Sequence, residues 1–308
     1  MAAAAHFADR LAALVAERES QLVLGLDPDP LRLWPDALAE PGVRPADVRE
    51  RTAAAVARHC RAAIAAAGES CVAVKPQLAC FERLGPPGWA ALEATIEAAH
   101  ERGLLVLADA KRGDVPLTAA AYAQALVGET PGPFGPVAGL SADAFTASPL
   151  LGRDALAPLI QGAEAAGAGV FCLVRTSNPG AADVQDLAGP DGPVHEHLAR
   201  MVDDLGRTRV GRCGLSLVGA VCGATAPEVL PRLRELMPHA VFLLPGVGAQ
   251  GGGVEGLTAA WAPGPAAGLV TASRSIVDAH HTAGGSPAAA ASAAAEELRV
   301  TAWRRATA

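Results

Sequence analysis

Leu107-Ala108-Asp109-Ala110-Lys111-Arg112-Gly113-Asp114 carries the densest chemistry in this chain. An apolar run over 103–108 ends abruptly in Asp109, Lys111, Arg112 and Asp114. Charges gathered where a buried strand ends sit where water is restricted, and Asp-x-Lys-x-x-Asp at that place marks a candidate active site. In a strand, residues two apart share a face, so Asp109 and Lys111 are expected to project together, with Ala110 on the other face. Gly113 lets the chain turn, Pro116 suits the start of a helix, and Asp114 points either back into this pocket or outward into a neighbour's.

The same pattern, strand then helix, runs outward from this stretch. Helical spacing of Phe7, Leu11, Leu14 and Val15 predicts a helix over Phe7–Arg18, and Leu22–Leu26 is a strand ending at Asp27-Pro28. A Pro-rich loop is expected over 30–45, a helix over Val48–Ala67, and a short strand over 71–74 that stops at Lys75-Pro76. Helix 89–102, strand 104–109 and helix 117–127 follow. Further apolar segments fall at 142–146, 170–174, 215–218, 241–244 and 269–272. Helices are expected at 155–166, 194–205, 227–237 and 253–260, and the tail over 284–308 reads as an Ala/Ser tract followed by a terminal helix with a frayed end.

About eight strands, each followed by a connection able to hold a helix, predict a (β/α)8 TIM barrel with an N-terminal helix and a C-terminal helical tail. The core spans about 20–280 of one domain, 1–308. A doubly wound open sheet is the competing solution. The barrel is preferred because polar residues gather after many strands: Asp27, Lys75, Asp109, Lys111, Arg175 with Thr176 and Ser177, Gly246 with Gln250, and Arg274. Only a closed ring brings such ends to one pocket, at its C-terminal mouth.

Composition narrows the function. A net charge of −7 offers no global basic field for nucleic acid, though it permits a local anion site. No apolar run of about 18 residues and no signal-peptide pattern appear, so no membrane role is expected and the cytoplasm is the default location. Cys60, Cys71, Cys80, Cys172, Cys213 and Cys222 show no CxxC or Cys/His ligand spacing, which argues for small buried hydrophobes over a disulfide framework or structural zinc. His195 and His197 flank Glu196 without a third placed ligand and read as solvent-facing or as a helix start. Tyr122 reads as structural.

An alternating Lys/Asp array keeps each ammonium protonated and each carboxylate ionised. It suits a reaction in which a carbanion forms and is then protonated. An ion-pair cluster, or a helix cap by Asp114, is the alternative for each residue taken alone. Pro245-Gly246-Val247-Gly248-Ala249-Gln250-Gly251-Gly252-Gly253 follows a strand and offers unobstructed backbone N–H groups. With Arg274 after the last strand, it predicts a phosphate on the substrate. Asn178-Pro179-Gly180 is turn chemistry, and Ser177 before it is placed to read the polar edge of a ring.

Together, Gly25-Leu26-Asp27-Pro28, Val74-Lys75-Pro76, the Asp109 to Asp114 signature, Thr176-Ser177-Asn178-Pro179-Gly180, Pro245-Gly246-Val247-Gly248 and Ser273-Arg274 resemble the orotidine 5'-phosphate decarboxylase family, in its longer bacterial branch, often called type 2. The resemblance implies conversion of orotidine 5'-monophosphate to uridine 5'-monophosphate and CO2, the last step of de novo UMP synthesis, with no cofactor or metal. It also implies a homodimer with active sites at the subunit interface. Asp27 and Lys75 would contact the ribose, Asp109 would face the substrate carboxylate, and Lys111 would protonate C6. Asp114 and Thr118 would serve the partner's site. Ser177 would read the pyrimidine, and Gly246, Gly248, Gln250 and Arg274 would surround the phosphate. Two places depart from the family pattern. Thr146-Ala147-Ser148-Pro149-Leu150 lacks an Asn and a Tyr often found there, and Ser273 stands where Gly commonly precedes the Arg. Competing readings are a Mg²⁺-dependent sugar-phosphate decarboxylase, a Schiff-base aldolase, and a nucleotide-binding barrel without activity.

Overall fold

Eight parallel strands close into a ring in chain order: β1 (Leu22–Leu26), β2 (Ala73–Pro76), β3 (Leu105–Arg112), β4 (Ala144–Ala147), β5 (Gly169–Arg175), β6 (Val218–Cys222), β7 (Phe242–Pro245) and β8 (Gly268–Ala272). The computed structural model describes residues 5–39, 47–248 and 250–308. Closure is made by β1 and β8, with Leu22 opposite Val270 and Leu24 opposite Ala272. β1, β2, β4, β6 and β8 are buried along their whole length, so they read as apolar runs, interrupted only by the buried Lys75, Thr146 and Thr271.

Helices cover the ring at Val48–Ala67, Pro86–His100, Pro116–Leu126, Arg153–Ala166, Val194–Gly206 and Leu230–Leu236. Asp47 caps the first of these by accepting from Arg49 N at 2.7 Å. Helix Phe7–Arg18 precedes the barrel, and its Phe7 ring meets Phe171 of β5 edge-on at 6.0 Å. A Cβ on Gly169 would lie 2.5 Å from the Phe7 ring, so glycine is what lets that ring seat. Arg234 is buried and donates to the carbonyls of Met237, Ala240, Ala260 and Ala267, tying the connections that feed β7 and β8.

Several boundaries differ from expectation. The sixth strand lies at Val218–Cys222, not 215–218: Ser216 Oγ donates to Gly206 O and accepts from Val218 N, and its own backbone N–H donates to His239 O. Leu215 and Leu217 are apolar because this entry segment is buried. The expected helix at 253–260 is a 3-10 run, Val254–Trp261. The tail is one helix, Pro287–Ala306, capped by Ser286, and its Ala/Ser tract is helical because alanine has the highest helix propensity. Part of the loop expected over 30–45 lies outside the described residues. Among the described residues no helix is long and apolar enough to cross a membrane.

Candidate active site

The C-terminal ends of the strands surround a cavity of about 720 Å³. At its floor lies Asp109, with 6% of its surface exposed. Lys75 Nζ donates to Asp109 Oδ2 at 2.7 Å, and Gln77 Nε2 donates to the same oxygen at 3.1 Å. Lys111 Nζ donates to Oδ1 at 2.6 Å, and Thr146 Oγ1 donates to it at 2.8 Å. Both carboxylate oxygens are thus held by one ammonium and one neutral donor each.

Burial pushes the Asp109 carboxyl up, but Lys75, Lys111 and their hydrogen bonds outweigh it and hold it well below the usual carboxylate range. Lys75 shows the complementary balance. Burial disfavours its charge, yet Asp109 and then Asp27 raise its pKa above the ordinary lysine value. At neutral pH the floor is therefore a carboxylate between two ammoniums. Lys75 is buried, whereas the Lys111 side chain is 45% exposed toward the cavity.

Asp109 and Lys111 meet as expected, but a regular pleat is not the cause. β3 pairs with β4 through Ala108 opposite Phe145 and Arg112 opposite Ala147, with a break in register between. Lys111 has φ of +49°, a left-handed conformation uncommon for a residue with a side chain. The strand bulges at the charged residues, and bulges re-aim side chains beside active sites. Arg112 emerges from the bulge to pair with Glu82 and to lie 5.4 Å over the Tyr122 ring, so Tyr122 packs as expected.

Asp27, Lys75, Asp109, Lys111, Ser177, Gly246, Gln250 and Arg274 all line this one cavity. Gly246 has φ of +104°, and a Cβ there would lie 3.1 Å from Ser177 Cβ, so the loop passes the Ser177 turn closely. Gly248 shapes the loop: its N–H donates to Gly252 O at 2.9 Å, and it is not among the lining residues. Asp114 and Thr118 do not line the cavity of their own chain either, and Asp114 Oδ1 accepts from Val115 N at 2.7 Å. A Cβ on Gly25 would stand 2.8 Å from Ser273 Cβ, which fixes glycine where β1 leaves the barrel beside the unusual Ser273.

A profile described as the orotidine 5'-phosphate decarboxylase / HUMPS family matches residues 20–292. The chain belongs to this family. It is 40% identical over 280 residues to an orotidine 5'-phosphate decarboxylase of Rhodopirellula baltica, with 89% of each chain covered. A decarboxylase of the same name from Haloarcula marismortui is 42% identical over 275 residues, covering 88% of this chain and 87% of that one. Among solved structures, the OMP decarboxylase of Leishmania donovani superposes with a TM-score of 0.74 at 32% identity, covering 98% of this chain and all of the other. In this member of the orotidine 5'-phosphate decarboxylase family the floor of the site includes two residues that the sequence reading left out, Gln77 and the hydroxyl of Thr146. Gln77 was accessible to the argument applied to Asp109 and Lys111, since it follows Lys75 by two. Thr146 carried no such signal, because its part depends on the bulge across from it.

Arg175 is placed differently from expectation, and His195 takes the second of its two expected places, a helix start. Arg175 turns from the cavity to Asp186 with two bonds of 2.9 Å, and His195 is buried against the same carboxylate at 3.1 Å, at the start of its helix but not facing solvent. A carboxylate that needs both partners draws them together. Of the cysteines, Cys60, Cys71, Cys172 and Cys222 are buried and their thiols pushed up to about 12 by burial, while Cys80 is half-buried and Cys213 exposed.

Proposed function

We propose that this chain decarboxylates orotidine 5'-monophosphate to uridine 5'-monophosphate, with Lys111 as the proton donor to C6 and no metal or cofactor in the step. The observation that carries the reading is Asp109 held between Lys75 and Lys111 at 2.7 and 2.6 Å on the floor of the cavity. The C6–carboxylate bond breaks, CO2 departs, and the electron pair stays in an in-plane orbital at C6 that the ring cannot delocalise. The Lys111 ammonium stabilises that charge as it grows and then transfers a proton to C6, becoming a neutral amine that solvent reprotonates. Asp109 lies against the substrate carboxylate. Lys75 orders the carboxylates and, with Asp27, binds the ribose.

Ser177 reads the pyrimidine edge, and Gly246, Gln250 and Arg274 surround the phosphate, with Gly248 shaping the loop behind them; the phosphate's binding energy is expressed in the chemical step. Asp114 and Thr118 serve the site of a second copy in a homodimer. Support for this comes from their place off their own cavity and from the apolar side chains beside them, Val115 and Leu117, which are 55% and 87% exposed. The test is to add orotidine 5'-monophosphate to chelator-treated protein and follow the ultraviolet change to UMP. Lys111→Ala is expected to lose nearly all turnover while still binding UMP. A chelator-inactivated wild type, or a folded Lys111→Ala enzyme with normal turnover, would overturn the reading.

A further inference from the structure

Between the pairs Ala108–Phe145 and Arg112–Ala147, β3 has three residues and β4 has one, Thr146. A regular ladder to β4 cannot cross that gap; Asp109 is bridged to Gln77 on its other side, and the Lys111 N–H needs another partner. Thr146 is 1% exposed, and its hydroxyl supplies one. Oγ1 accepts from Lys111 N at 2.9 Å and donates to Asp109 Oδ1 at 2.8 Å. The same Asp109 oxygen accepts from Lys111 Nζ at 2.6 Å. One buried oxygen therefore holds both the left-handed backbone of Lys111 and the anion that anchors its ammonium.

We infer that Thr146 is a positioning residue for the decarboxylation, acting through Lys111 and Asp109. The inference rests on the proposed role of Lys111. Valine fills nearly the same space, but it leaves the Lys111 N–H without its acceptor and Asp109 Oδ1 without its neutral donor. Both losses free Lys111 at the place where its amine must meet C6, and a misplacement of about 1 Å costs on the order of 10²-fold in rate. Nothing in the proposed binding of ribose, ring or phosphate passes through Thr146, so affinity for the nucleotide is left intact.

The experiment compares Thr146→Val, Thr146→Ala and Thr146→Ser by kcat, KM, UMP affinity and exchange of the UMP C6 hydrogen in D2O. By microscopic reversibility, that exchange reads proton transfer between Lys111 and C6 alone. Val and Ala variants are expected to lose about 10²-fold in kcat and to slow exchange in parallel, with KM and UMP affinity near wild type. Ser, which keeps the oxygen, is expected to recover most of both rates. A folded Val or Ala variant with wild-type kcat would overturn the inference, as would a Ser variant as slow as Val or a loss confined to KM. Should Val not fold, Ala and Ser decide the same question. A wild type that fails to turn over orotidine 5'-monophosphate would instead strike the proposed function.

Discussion

Arg274 lines the cavity and, among the described residues, has no ion pair, whereas Arg32, Arg112 and Arg175 each hold a carboxylate. An unpaired guanidinium beside a glycine-rich loop is suited to an incoming phosphate. Arg274→Ala is therefore expected to lower kcat/KM by about 10²-fold or more, and steady-state kinetics check it. An unchanged kcat/KM would remove Arg274 from phosphate binding. At this scale the sequence was informative where chemistry concentrates charge: Asp27, Lys75, Asp109, Lys111 and Arg274 were each legible as polar residues that end apolar runs. Arg175 met the same criterion and belongs elsewhere, because a strand-end position does not say which carboxylate a long side chain will find. Asp186, eleven residues on, supplied it.

The elements were legible through burial, and their ends were not. Apolar runs located every barrel strand, but β6 slid because the segment feeding it is as apolar as the strand itself. The helix Val48–Ala67 carries a titratable group that no periodicity exposes. His59 is buried, its Nδ1 accepts from Trp34 N at 3.1 Å, and burial lowers its pKa to about 4. Unfolded, it titrates near 6.5. Below that value the unfolded chain binds a proton that the folded one refuses, so its contribution is fully present above pH 6.5 and is lost as pH falls toward 4. The loss amounts to at most about 3 kcal/mol. Urea midpoints measured across this window should fall more steeply for wild type than for His59→Gln. Parallel curves would show that His59 does not set the slope.

For the whole molecule, the barrel was readable from the count of strands and from the convergence of their polar ends. What lies outside one chain was not, since a single sequence does not say whether Asp114 turns inward or away. In the fold it does not line its own cavity. If it completes a second subunit's site, mixing inactive Asp114→Ala chains with inactive Lys111→Ala chains should restore part of the activity. A hybrid dimer then holds one site with neither defect, and random exchange sets the ceiling at about one quarter of the wild-type rate per site. No recovery after demonstrated subunit exchange would assign Asp114 to its own chain.

The excess of residues in β3 over β4 has a consequence for transplantation. Cut out and grafted into another barrel, 105–112 would carry its charges but lose its shape, because the hydroxyl that fastens the surplus loop of strand belongs to the neighbour. The smallest portable unit of this bulge is a pair of strands, and a designer or an evolving lineage has to move both together, with the strand bearing Lys75 beside them to hold Asp109.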